Sequence, residues 1–184
     1  MNDPRHEIDA PSALFVAQSD ALRSVAELGP ILDLACGRGR HCLAAAELGL
    51  DVVGLDRDTE HLTALARMRP AAGSIEVLAA DLERAAPPDL ERAPFGAVLV
   101  FRYLHRPLMP WIEELLAPGG LLLYETFTTE QRELGWGPSR DDFLLRPGEL
   151  PRLFPGLETR SYEEGATDEH GAARTARLVA VKPT

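Results

Sequence analysis

Apolar residues recur along this chain in two alternating rhythms, one of helical and one of strand spacing. Between residues 11 and 28, Leu14, Ala17, Ala21, Leu22, Val25 and Leu28 fall near one face at helical spacing, and Gly29-Pro30 ends the run. A short apolar run from Ile31 follows, carrying Asp33 at its end. Residues 39–48 predict the next helix, stopped by Gly49, and residues 51–56 the next strand. Asp58 is a good N-cap for a helix through Met68, whose Leu62, Leu65 and Met68 share a face. Residues 75–79 read as a third strand. The acidic, proline-bearing stretch 82–94 has no period and reads as loop with at most a turn of helix. A continuous apolar strand spans 95–101, and Pro107 opens a helix with a stripe of Leu108, Trp111, Ile112, Leu115 and Leu116. A further strand runs to the sequence Tyr124-Glu125-Thr126-Phe127.

Strands alternating with helices predict a mostly parallel sheet covered on both faces. The end of the chain breaks that rhythm. After a short helix at 145–150, entered through Pro147, two strand-like runs at 157–164 and 173–182 follow with only the polar stretch 165–171 between them. They predict an antiparallel hairpin. The length of 184 residues suits one α/β unit, read as a single domain over 11–184 behind a flexible leader at 1–10.

The formal net charge of −10 and the absence of a lysine or arginine run disfavour a nucleic-acid partner, which demands a basic footprint. No apolar stretch approaches the roughly 20 residues that span a bilayer, and the N-terminus lacks a signal-type apolar segment, so no membrane partner and a cytoplasmic location are expected. Cys36 and Cys42 allow at most one disulfide. A zinc site using both with His41 would need further ligands and would fill the turn described next, so they read as small buried thiols and no metal is expected. Oligomeric state leaves no mark on the sequence.

The candidate chemistry starts at Ile-Leu-Asp33-Leu-Ala35-Cys36-Gly37-Arg-Gly39-Arg40. A strand that ends on an acid and turns through small residues lets a ligand approach the backbone, while the following helix points free N–H groups into the same space. A nicotinamide dinucleotide fits poorly. Its G-x-G-x-x-G fingerprint needs a third glycine where Cys42 stands, and Asp33 would repel a pyrophosphate. An acid there suits a ligand with an ammonium group.

The pattern D-x-A-C-G-x-G resembles motif I of the class I S-adenosylmethionine (SAM) dependent methyltransferases. Residues 51–56, ending in Asp56 beside Arg57, match the acid that receives ribose hydroxyls in that family. Ala80-Asp81-Leu82 resembles its adenine site, the run 95–101 its motif IV, and Leu116-Ala-Pro-Gly-Gly-Leu its following turn and strand. The resemblance covers roughly residues 12–182. It implies an α/β Rossmann-like fold with a seven-stranded, mostly parallel sheet, helices on both faces and a C-terminal antiparallel hairpin. It also implies SAM as cofactor, held by Asp33, Ala35, Cys36, Gly37, Gly39, His41, Asp56, Arg57, Asp81, Leu82, Phe101 and Arg102. Val98 to Leu108, with YETFT and FLLRPGEL, is similar to small bacterial enzymes of the tellurite-resistance and thiopurine type, which implies a small acceptor with an S, Se, Te, O or N nucleophile.

Ligands of open α/β sheets bind beyond the strand carboxyl ends, so residues 101–106 and 124–127 are expected to face the transferred methyl. His105 is the candidate general base, with Tyr103 and Glu125 as second choices. Arg106 either holds an anionic substrate or is a solvated charge. His41 either adds to the field that holds the methionine carboxylate or packs against the loop. Trp136, flanked by glycines within 128–144, either contacts substrate from a mobile cover or anchors a long loop. Many enzymes of the tellurite-resistance and thiopurine type carry an aromatic-rich N-terminal segment that closes over SAM; ahead of Pro11 this chain has no aromatic beyond His6, so either Leu14 and Phe15 supply the cover or the site is more open. Two alternatives to a methyltransferase stay open: a SAM-binding sensor or partner protein without turnover, and an NAD-dependent oxidoreductase.

Overall fold

In the computed structural model, residues 10–84, 86–167 and 173–184 are described. The leader expected at 1–10 falls almost wholly outside them, as does most of the link between the last two strands.

Seven strands form one sheet in the order β3-β2-β1-β4-β5-β7-β6. They are β1 (Ile31–Leu34), β2 (Asp51–Asp56), β3 (Ser74–Ala79), β4 (Phe95–Phe101), β5 (Leu116–Phe127), β6 (Glu158–Thr167) and β7 (Ala173–Val181). The first five pair in parallel, and β7 lies antiparallel between β5 and β6. The predicted sheet and terminal hairpin are therefore present. Every residue of β1 and β4 is buried, as the continuous apolar runs require of strands covered on both faces. Alternation sorts β5, sending Leu121 and Leu123 to one layer of core and Leu122 and Tyr124 to the other.

The helices are α1 (Ala13–Ala17), α2 (Ser19–Ser24), α3 (Arg40–Glu47), α4 (Thr59–Leu65), α5 (Met109–Leu115) and α6 (Glu149–Arg152). The single helix expected over 11–28 is divided into α1, α2 and a 3-10 turn at Ala26–Leu28. Local hydroxyls compete with the helical ladder there: Ser19 Oγ donates to the carbonyls of Phe15 and Val16, and Ser24 Oγ to that of Ala21. Asp58 caps α4 as expected, its Oδ1 accepting from the N–H groups of Glu60 and His61 at 3.0 Å each. That helix stops at Leu65 rather than Met68, because Arg67 and Met68 turn back with tighter bonds to the carbonyls of Ala64 and Leu65. The helix expected at 145–150 begins later, at Glu149, since Gly148 adopts φ 64° and breaks the entry through Pro147. The helix expected from Pro107 opens instead with a 3-10 turn, Arg106–Leu108. Strand β6 runs on to Thr167, past the expected end at 164.

Among the described residues, no helix is long and apolar enough to cross a membrane. The strand order reverses between β1 and β4, whose carboxyl ends therefore open a crevice.

Candidate active site

Two cavities of about 400 Å³ each lie at that crevice and share Ala35 and Arg102 as their common wall. Both residues are bent into the left-handed region, at φ 57° and 58°, which no glycine relieves.

The first cavity spans the tips of β2, β3, β4 and β5. Asp56 and Arg57, Ala80 to Glu83, and Arg102 to Leu104 line it, together with Thr126, Phe127, Pro138 and Phe143. Asp56 ties its floor to the glycine turn: Oδ2 accepts from Gly37 N–H at 2.7 Å and Oδ1 from Asp58 N–H at 2.9 Å. A carboxylate has about four lone-pair positions, so acceptor capacity remains for a ligand. Asp81 accepts from Glu83 N–H at 3.0 Å, and Arg57 stands 3.9 Å from Glu83 across the rim.

The second cavity is lined by Asp33, Cys36, Gly37, Arg38, Arg40, His41, His61 and Phe101 besides the shared pair. Asp33 is buried at its base, and burial raises its pKa to about 7 against the lowering pull of Cys42 and Arg40. A buried acid flanked by N–H groups and arginines can take an ammonium and a carboxylate side by side. His41 is 3 % exposed, stacks on Phe101 with ring centroids 3.8 Å apart, and accepts at Nε2 from Ser12 N–H at 3.2 Å. Burial and the nearby Arg40 and Arg102 push its pKa down to about 2. Added positive field from His41 is therefore corrected: the imidazole is neutral, its proton sits on Nδ1, and it offers a donor without charge. Phe15 packs behind it, ring centroids 5.6 Å apart, and is a backing residue rather than a lid.

The cavities thus gather Asp33, Ala35, Cys36, Gly37, His41, Asp56, Arg57, Asp81, Leu82, Phe101, Arg102 and Tyr103. Gly39 lies behind the turn as the N-cap of α3 at φ 79°, where a Cβ would stand 2.5 Å from Leu65. Other expectations do not converge on the cavities. His105 is the half-buried residue ahead of the 3-10 turn and lines neither one. Glu125 is buried in the sheet, paired in register with Phe101 and with Arg177 of β7. Tyr103 lines the first cavity, but burial and nearby Glu83 raise its phenol to about 12, which corrects its role as a base: it stays protonated.

Arg106 is corrected from substrate contact to brace. Its Nε and Nη2 bond the Glu149 carboxylate at 2.7 and 2.9 Å, Nη1 donates to the Asp142 carbonyl and Nη2 also to that of Leu144. Arg106→Ala is expected to cost about 2–3 kcal/mol by leaving Glu149 half-buried without its partner. The thermal midpoint then falls by about 5 °C or more, while calorimetry shows cofactor affinity within about twofold of the parent.

Trp136 meets Phe127 edge-on at 6.0 Å, and its carbonyl accepts from Gln131, which is corrected from a substrate contact to an anchor. The segment 128–144 does reach the first cavity, through Pro138 and Phe143. Sequence reasoning missed Phe143, which follows Arg140, Asp141 and Asp142 and heads the apolar run Phe143-Leu144-Leu145. Thr126 also lines the first cavity, within the 124–127 strand tip expected to face the crevice.

The chain matches the family model of the methyltransferase domain over residues 31–120. No protein of curated function matches it. Its fold is similar to that of a solved SAM-dependent methyltransferase from Mesorhizobium loti, at 22 % identity and TM-score 0.66, over 90 % of this chain and 98 % of that one. It is also similar to TehB from Haemophilus influenzae, at 20 % and 0.65, over 89 % of this chain and 62 % of TehB. A third similar structure is the glycopeptide N-methyltransferase MtfA complexed with S-adenosylhomocysteine (SAH), at 20 % and 0.61, over 90 % of each chain. The methyltransferase-domain match over residues 31–120, the strand tips bearing acids in the expected order and the seven-stranded topology agree, and the chain has the fold of the SAM-dependent methyltransferases.

Proposed function

We propose that the protein methylates a small molecule, with the first cavity holding both the adenosine of SAM and the acceptor. The observation that carries this reading is the division of the crevice into two cavities that meet at Ala35 and Arg102. Asp33 in the second accepts from the cofactor's ammonium, and Arg38 with neutral His41 donates to its carboxylate. Asp56 receives the ribose hydroxyls, and Asp81 and Leu82 border the adenine. SAM supplies a methyl already activated on a sulfonium. The protein's task is to align an acceptor and exclude water.

Leu104, Thr126, Phe127, Pro138 and Phe143 form the acceptor side of the first cavity, a mostly apolar wall. Among the described residues that line this cavity, no histidine or lysine is present and the carboxylates stand at the nucleoside end. The acceptor is therefore one whose nucleophilic atom, in the S, Se, Te, O or N series, carries an available lone pair at neutral pH.

An SAH-release assay across thiols, selenite, tellurite, phenols, amines and carboxylic acids tests this. Turnover of at least one small acceptor is expected, with His105→Ala losing less than about threefold in rate. Cofactor binding with no release across the panel would instead favour a sensor. A hundredfold loss in His105→Ala would restore the base.

A further inference from the structure

Cys42 occupies the position at which a dinucleotide fingerprint has its third glycine, and its thiol is turned into the sheet. Its Sγ–H donates to Asp33 Oδ2 at 3.2 Å, with Cys42 and Asp33 both buried. The approach requires a gap, and β2 provides it. Gly54 is the register partner of Asp33, and a Cβ at 54 would stand 2.8 Å from the Cys42 sulfur and 3.3 Å from that of Cys36. A glycine at 42 would leave that carboxylate oxygen facing an apolar pocket, and a bulkier side chain at 54 would expel the thiol.

We propose that Cys42 is a positioning residue for cofactor binding: its thiol, seated in the gap left by Gly54, holds the Asp33 carboxylate ready for the ligand's ammonium. This rests on the reading that Asp33 receives that ammonium. Asp33 is otherwise surrounded by groups of both signs. Arg40 of α3 favours its charged form and Asp56 of β2 opposes it, while Arg38, His41, His61 and Arg102 line the same cavity. Burial is the largest influence and favours the neutral acid, and the Cys42 thiol is the strongest of the groups that pull the other way, ahead of Arg40 and the backbone N–H of Cys42. Without the thiol, the cofactor must drive more of that ionisation itself, and affinity falls where the free acid is protonated.

The test is calorimetric titration of the full chain with SAH between pH 5.5 and 8.5, for the parent, Cys42→Ala, Cys42→Ser and Gly54→Ala. In Cys42→Ala, affinity is expected to be about fivefold to tenfold weaker at pH 6.5 and within about twofold of the parent at pH 8.5, the plateau moving to higher pH. Cys42→Ser keeps a donor and is expected to follow the parent curve. Gly54→Ala is expected to reproduce Cys42→Ala by a different route. A Cys42→Ala curve that superimposes on the parent, or is offset equally at every pH, would overturn the proposal, since packing damage carries no pH signature. Asp33→Asn separates the two readings. If it binds like the parent, Asp33 does not hold the ammonium; if it loses binding while Cys42→Ala shows no pH shift, the role of Cys42 alone is wrong.

Discussion

Replacing Asp56 with alanine is expected to weaken SAM and SAH binding by at least about a hundredfold, corresponding to about 3 kcal/mol. Two effects combine. The ribose loses its charge-assisted acceptor, and the glycine turn loses the bond that Gly37 N–H makes to Oδ2 at 2.7 Å. One carboxylate joins the β2 tip, the turn after β1 and the start of α4, so its loss unfastens the floor between the two cavities. Asn at 56 does not restore the site, because its amide nitrogen confronts one of the two N–H groups that the acid accepts from. Calorimetry with SAH reads the affinity, and thermal unfolding reads how far the turn has loosened. Binding within threefold of the parent would remove Asp56 from the cofactor site.

That acid was legible in the sequence because an apolar run ending on a carboxylate is a local signal. The same holds for Asp33 and Asp81 at their strand tips and for the terminal antiparallel hairpin. Legibility failed where the third dimension decides. Arg106 looked like a substrate contact since nothing local shows that Glu149, far along the chain, takes its guanidinium. His105 follows a strand that does reach the crevice, yet the turn after Leu104 carries it off the cavity wall. Trp136 drew attention by its size, whereas Phe143 reaches the cavity because Arg106 holds the carbonyls on either side of it. The division of the first helix was hidden for a different reason: apolar spacing survives a break of one residue, and the serine hydroxyls that cause it are ordinary helix-surface residues.

Lowering the pH from 7.5 to 5.5 is expected to weaken SAM affinity about thirtyfold, because the cofactor's ammonium requires Asp33 as its anion and the free acid titrates at about 7. Asp33→Asn should bind weakly throughout and show no such slope. Isothermal titration in matched buffers measures both, and an affinity independent of pH in the parent would contradict the assignment. Folding stability without ligand carries a second signature. Asp33 has a raised pKa in the folded state, so its contribution is fully present below 3.8 and is lost as pH rises toward 7. His41 has a depressed one, so its contribution is present above 6.5 and is lost as pH falls toward 2. Between about pH 4 and 6.5 the opposing slopes cancel, and the parent should hold nearly constant stability. Asp33→Asn leaves His41 unopposed, and denaturant melts should show it losing about 3 kcal/mol over the same interval. A parent that softens steeply in that interval would show that other groups govern its acid response.

Ala35 and Arg102 carry a cost that thermostability engineering will meet directly. Two side-chain-bearing residues in the left-handed region store on the order of 1–3 kcal/mol each, and glycine at either position is the obvious relief. Such a change would raise the melting point while letting the neck between the chambers drift, trading catalytic competence for robustness at the two residues where both chambers meet.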